Sequence, residues 1–216
     1  MSIETLLIIT TIIGTVAFSV SGALVAIENK LDLFGVIILG TVTACGGGVL
    51  RDVMMHQNIL MFEDPWYFYL SLLTGLLVFI AMYFLQNLKW ENSRIYKIFF
   101  NITDSIGLGT FVVLGANVAV SNGVQSFVAI TFYAVLTAVG GGLIRDLSVM
   151  KIPVIFRKHI YAVASIIGAV YFYLITIADC PYTIAVITTV LIVVIIRYLA
   201  FRFEWSLPRV YLKDNL

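Results

Sequence analysis

The chain has 216 residues, of which 61% are hydrophobic and 12% charged, with a formal net charge of +1 and a mean hydropathy of +1.05. Soluble domains carry roughly 25% charged residues, so a soluble fold of this length would lack the polar surface to cover itself. The near-zero charge, with no basic run, offers no footprint for nucleic acid. The composition describes an all-α integral membrane protein.

Seven apolar stretches reach the roughly 20 residues needed to cross about 30 Å of hydrocarbon: 5–27, 33–56, 66–88, 96–120, 123–150, 160–178 and 182–203. The first has Glu4 and no Lys or Arg ahead of its apolar run. A signal peptide has a positive n-region, so this stretch is expected to stay as a span. The second contains Gly46-Gly47-Gly48-Val49-Leu50-Arg51-Asp52, and the fifth contains Gly140-Gly141-Gly142-Leu143-Ile144-Arg145-Asp146. The fourth carries Asp104 among Asn101, Thr103, Ser105, Gly107 and Thr110. The seventh is apolar from Thr183 to Ile196 and then meets Arg197, which makes its exit the weakest boundary.

Lys and Arg set the orientation of such a chain. One side receives Lys30, then Lys89, Arg94 and Lys97, then Lys151, Arg157 and Lys158, and finally Arg202, Arg209 and Lys213. The other receives the N-terminus, the Glu63-Asp64 segment, Ser121-Asn122 and Asp179-Cys180. The N-terminus is therefore expected outside and the C-terminus in the cytoplasm. Trp66, Tyr67, Trp90, Tyr161 and Trp205 fall at span ends, where an aromatic belt belongs. Cys45 lies within a span and Cys180 in an external loop, depths that argue against a disulfide between them.

Each glycine in a helix costs up to about 1 kcal/mol relative to alanine, and an Arg-Asp pair is costly in lipid. Finding both penalties together twice marks a device. The halves match further: Gly14, Phe18, Gly22 and Ala23 with Gly107, Phe111, Gly115 and Ala116; Thr43-Ala44 with Thr137-Ala138; Phe62, Tyr67 and Ser71 with Phe156, Tyr161 and Ser165. Each repeat holds three spans, so the second copy inserts upside down, an arrangement shared with many transport proteins. The expected layout is a first repeat over 1–90, an inverted second over 91–180, and a seventh helix with a tail over 181–216. Arg51-Asp52 is then expected toward the outer side and Arg145-Asp146 toward the cytoplasm.

A glycine triplet is expected to kink or break its helix, freeing backbone groups that membranes tolerate only inside protein or beside water. Close helix packing is the other use of small residues. The arginines admit two readings as well. They snorkel with their neighbouring aspartates as partners, or they form interior pairs that gate a path, Arg51 with Asp146 or Asp104, Arg145 with Asp52. Asp104 is expected near the cytoplasmic end of the fourth span, as a cation-attracting mouth or a solvated helix-end carboxylate; its counterpart in the first span is Thr11. Thr11, Thr15 and Gly22 form one polar or small stripe, and Thr103, Gly107, Thr110 and Asn117 another; with Thr43 and Thr137 they line water or pack. The Gly-Phe-Gly rows read as packing.

These residues resemble the trimeric intracellular cation channels, specifically their prokaryotic members, in which the doubled G-G-G-x-x-R-D phrase is a signature. The resemblance covers 5–203. It implies a homotrimer with one pore per protomer, bounded by kinked helices 2 and 5 with helices 1 and 4, passing potassium and some sodium, with the membrane lipids of a prokaryotic inner membrane as the surroundings. Related bacterial sequences have been labelled glycine transporters, so a small-amino-acid carrier is the alternative, and inverted repeats suit it equally. No cofactor or enzymatic constellation is expected. His56 and His159 have no Cys or carboxylate cluster at ligand spacing, and the glycine triplets lack the Lys-Ser/Thr of a phosphate loop.

Overall fold

The computed structural model describes residues 2–85, 94–157 and 160–205, apart from the side chain of Arg157. Lys89, Trp90, Lys158, His159, Arg209 and Lys213, which enter the orientation, belt and metal readings, lie outside the described residues. Long helices fill the apolar stretches: α1 (Ile3–Glu28), α2 (Leu33–Met54), α4 (Trp66–Leu85), α5 (Arg94–Ser121), α6 (Phe127–Ser148), α8 (Ile160–Ile177) and α9 (Tyr182–Arg202). All seven are long and apolar enough to span a membrane. Two short helices, α3 (Leu60–Glu63) and α7 (Val154–Arg157), occupy matching places in the two halves.

Helix ends follow local chemistry and repeat between the halves. Asp32 caps α2 by accepting from Gly35 N at 2.8 Å, and Ser126 caps α6 by accepting from Ala129 N at 3.5 Å, as N-cap oxygens do. The fifth span thus starts as helix at Phe127 rather than at 123. Gly123 instead closes α5 with a left-handed φ of 79°. The matching position in the first half is Lys30, at φ 59°. A left-handed φ costs an L-residue about 1–2 kcal/mol that glycine does not pay. A Cβ at Gly123 would touch nothing within 4 Å, so Gly123→Ala is expected to cost about 1 kcal/mol from backbone strain alone. Lys30→Gly should gain a similar amount; thermal unfolding in detergent reads both.

The two halves meet along antiparallel partners. On α1 and α5, Gly14 faces Thr110 and Phe111, and Phe18 fills the space that a side chain at Gly107 would need. One turn further, Ser21 bonds Asp104, and the Tyr96 hydroxyl donates to Leu24 O at 3.2 Å. Phe18 and Phe111, equivalent residues, stack at 5.1 Å between ring centroids. Within each half, Gly22 admits the Thr43 side chain and Gly115 admits Thr137. Helix α9, outside the repeat, packs on α5 and α8.

The glycine triplets meet at the centre. Helices α2 and α6 are continuous through them, so of the expected kink or break the break is absent. A Cβ on Gly47 would collide with Thr137 O, and one on Gly141 with Thr43 O; one on Gly140 would stand 3.0 Å from Gly47 Cα. The glycines therefore let two antiparallel backbones touch. Hydrogen bonding survives along each helix because the missing side chains, not missing backbone bonds, create the room.

Candidate functional site

Each Arg-Asp pair is built first from its own helix. Arg51 Nε donates to Asp52 Oδ1 at 2.8 Å, and Arg145 Nε to Asp146 Oδ1 at 2.9 Å. The second oxygen of each aspartate takes the first backbone N–H of the following short helix: Leu60 N on Asp52 Oδ2 at 3.1 Å and Val154 N on Asp146 Oδ2 at 2.8 Å. The aspartates thus neutralise a buried arginine and fix the chain's return after each triplet helix. All four residues are buried.

Beyond that shared unit the halves diverge. Arg145, 0% exposed, donates from Nη1 to Asp104 Oδ1 at 2.7 Å and to Ser21 Oγ at 2.7 Å. Arg197 of α9 reaches the other oxygen, Asp104 Oδ2, at 3.1 Å, and donates from Nε to Ser105 Oγ at 3.3 Å. Its guanidinium lies over the Tyr161 ring, 4.4 Å from the centroid. Asp104, 1% exposed, sits inside the bundle, clamped by two cations. It is neither a solvated helix-end carboxylate nor a free acidic mouth. Two arginines and two aspartates balance at zero charge, as burial in low dielectric requires.

None of the interior pairings expected from sequence, Arg51 with Asp146 or Asp104 and Arg145 with Asp52, is present among the described residues; Arg145 pairs with Asp104, which the sequence reading did not foresee, and Arg51 keeps its neighbour Asp52. Arg197 reads in the sequence only as a boundary marker. The signal that could have found it is a charge inside an apolar run, which marks function by default. Tyr161, expected in an aromatic belt, is 2% exposed; its hydroxyl has no hydrogen-bond partner among the described residues.

The threonines divide. Thr43 and Thr137 are buried at the glycine crossing and bond their own helices at Leu39 O and Tyr133 O. Thr110 bonds Ile106 O and Gly107 O. Thr11 bonds Leu7 O, and Thr103 bonds Phe99 O and Phe100 O. Thr15, fully buried, has no partner for its hydroxyl among the described residues. Cys45 is buried and Cys180 exposed, both free. His56 closes α2 in a left-handed turn. Two cavities of about 320 and 330 Å³ are almost wholly apolar and touch none of the arginines.

One end of the bundle gathers basic loops. Tyr96 beside Leu24 and Lys151 Nζ at 3.5 Å from Glu28 bring the ends of α1 and α6 and the start of α5 together, and with them Lys30, Arg94, Lys97 and Lys151.

These features define a multi-pass membrane protein made of two inverted three-helix repeats and a terminal helix. A family model described as "Glycine transporter" matches residues 8–83 and 101–177, one segment in each repeat. The chain is 34% identical over 211 residues to the UPF0126 inner membrane protein YadS of Escherichia coli (strain K12), covering 94% of this chain and 96% of that protein. It is 35% identical over 208 residues to the UPF0126 membrane protein YvgT of Bacillus subtilis (strain 168), at the same coverage. Its fold is similar, at a TM-score of 0.82 and 29% identity, to the TRIC trimeric intracellular cation channel orthologue from Rhodobacter sphaeroides, covering 93% of this chain and 100% of that one. The chain belongs to this family of bacterial membrane proteins, the prokaryotic branch of the TRIC family.

Proposed function

We propose that the chain is a cation channel permeable to potassium and, to a lesser extent, sodium, with one pore in each protomer of a homotrimer. The supporting observation is the likeness to the Rhodobacter sphaeroides cation channel orthologue across nearly the whole length of both chains. The pore in this reading follows α1, α2, α5 and α6. Gly46, Gly47, Gly48, Gly140, Gly141 and Gly142 let α2 and α6 cross closely and bend, and Thr11, Thr15, Thr43, Thr103, Thr110 and Thr137 offer hydroxyls. Arg51 with Asp52, and Arg145 with Asp146 and Asp104, set the charge at either end.

The basic end of the bundle is assigned to the cytoplasm, by the preference of Lys and Arg for that side, with the N-terminus outside and membrane lipids around the trimer. The repeats are assigned to 1–90 and 91–180, and the seventh helix and tail to 181–216. A small-amino-acid carrier is the second reading, favoured by the description of the matching family model.

Purified protein in planar bilayers decides. A channel is expected to give unitary currents whose reversal potential follows an imposed potassium gradient. Saturable uptake of labelled glycine into proteoliposomes without unitary current would replace this reading with the carrier.

A further inference from the structure

Tyr67 and Tyr161 hold the same place in the two repeats, yet they stand in two different positions. In the second repeat the Tyr161 hydroxyl reaches the backbone of Gly142, where an added Cβ would lie 3.0 Å from it. Gly142 is buried and Tyr161 is 2% exposed. In the first repeat both twins, Gly48 and Tyr67, are half-buried. A Cβ on Gly48 would meet only Arg51 Nη2 within 4 Å among the described residues, at 3.7 Å. The tyrosine that closes on its glycine in one half thus leaves a crevice in the other.

The lining of the two places differs in the same sense. Ser19 of α1 donates to Ser71 O of α4 at 2.8 Å and lies against Gly40 of α2. Since α1 and α2 run antiparallel, one turn back along α1 answers one turn forward along α2. Thr15 therefore faces the junction of α1, α2 and α4 beside Ala44, on the way to Gly48. Its hydroxyl is fully buried and has no partner among the described residues, whereas Thr10, Thr11, Thr41 and Thr43 return theirs to their own helices. A buried hydroxyl without a partner is costly, and water from a crevice at Gly48 supplies one. In the second repeat the twins of Thr15, Ser19 and Cys45 are Leu108, Val112 and Val139, which share one apolar cluster with Tyr161. The first half is lined for water and the second against it.

We infer that Tyr161, seated on Gly142, is a gate that shuts the end of the bundle carrying Lys30 and Lys151, while the opposite end admits water past Tyr67 to Gly48. Apolar constrictions of this kind close by excluding water. Two features suit a side chain that moves. The Tyr161 hydroxyl has no partner in its seat among the described residues, so leaving the seat breaks no hydrogen bond within them and lets the hydroxyl meet water. The ring is held from its face by Arg197, 4.4 Å from the centroid, a cation–π contact that a shift of α9 releases. Inverted repeats supply the open position as well, because Tyr67 already occupies it. The gate rests on the reading that a solute crosses the protein along this route, and it serves a channel or a carrier alike.

Thiol labelling of the full chain in detergent by a small water-soluble methanethiosulfonate tests this. The background is Cys180→Ser, which removes the exposed thiol and keeps buried Cys45 as a reporter of loosening. Gly48→Cys is expected to react at least tenfold faster than Gly142→Cys. Adding Tyr161→Ala to Gly142→Cys should raise its rate at least tenfold, whereas Tyr161→Phe, which keeps the ring and drops the hydroxyl, should leave it within a factor of two. Should Cys45 become labelled with Tyr161→Ala, the fold has loosened, and Tyr161→Leu takes its place with the same expectation. Equal rates for Gly48→Cys and Gly142→Cys, or a Gly142→Cys rate indifferent to loss of the ring, overturns the gate. Unitary currents of the unsubstituted protein judge the channel reading separately, since the labelling needs no permeant solute.

Discussion

Asp104→Asn is expected to lower stability by about 3–5 kcal/mol, the cost of removing one partner from a buried ion pair. The substitution keeps the shape of the side chain and removes only its charge. Arg145 and Arg197 would then face one remaining carboxylate, Asp146, and the buried cluster would carry a net +1. Neither guanidinium can turn to water instead. Arg145 is fully enclosed, and Arg197 is 5% exposed over the Tyr161 ring, so snorkelling to a headgroup would require α9 to leave its seat on α5 and α8. The measurement is the apparent melting temperature of purified protein in detergent, with monodispersity as the second readout. Restoring neutrality by combining Asp104→Asn with Arg197→Gln should recover more than half of the loss. A double variant no more stable than the single one would show that shape, not charge, fixes this cluster.

The positions of these groups are only partly legible in the sequence. Span number and repeat registry are legible because apolar length and the spacing of glycine, phenylalanine and threonine survive in one dimension. The short helices α3 and α7 are not, since four residues carry no periodic signal. What gives them away is tertiary: their first N–H groups close onto Asp52 and Asp146. Asp104 stands out in the sequence, but its surroundings do not, because its partners come from residues 41 and 93 positions further along the chain. Arg197 illustrates the difficulty most plainly. Near the end of an apolar run an arginine reads as a boundary, and only the packing of α9 against α5 turns it into an interior group. Tyr161 misleads for the same reason, since a tyrosine at the start of a span reads as a belt residue until a guanidinium is found over its ring.

The two halves differ in how their buried arginines are held. Duplication supplied two equal Arg-Asp units, and the added seventh helix completed only one of them. In the second half Asp104 is tied to helices α6 and α9 at once, α9 lying outside the repeat. In the first half Arg51 is held by Asp52 alone.

The glycine crossing gives the second large expected effect, and it separates residues that look identical in sequence. Gly47→Ala and Gly141→Ala are each expected to destabilise the fold by about 3 kcal/mol, at the upper end of overpacking costs. The added methyl meets a backbone carbonyl, Thr137 O or Thr43 O, and a carbonyl inside a helix cannot rotate away as a side-chain tip can. Relief requires the two helices to separate, which strips contacts along the whole crossing. Gly48→Ala is the opposite case. A Cβ there comes no nearer than 3.7 Å, to Arg51 Nη2, which is ordinary contact, and alanine gains up to about 1 kcal/mol of helix propensity over glycine. Gly48→Ala should therefore be neutral or stabilising in the same melting assay. Equal losses at Gly47 and Gly48 would mean that the triplet acts through helix flexibility, each glycine contributing alike. A large loss at Gly47 and Gly141 with none at Gly48 means that it acts through contact, and that the middle glycine of each triplet is the point on which the two repeats meet.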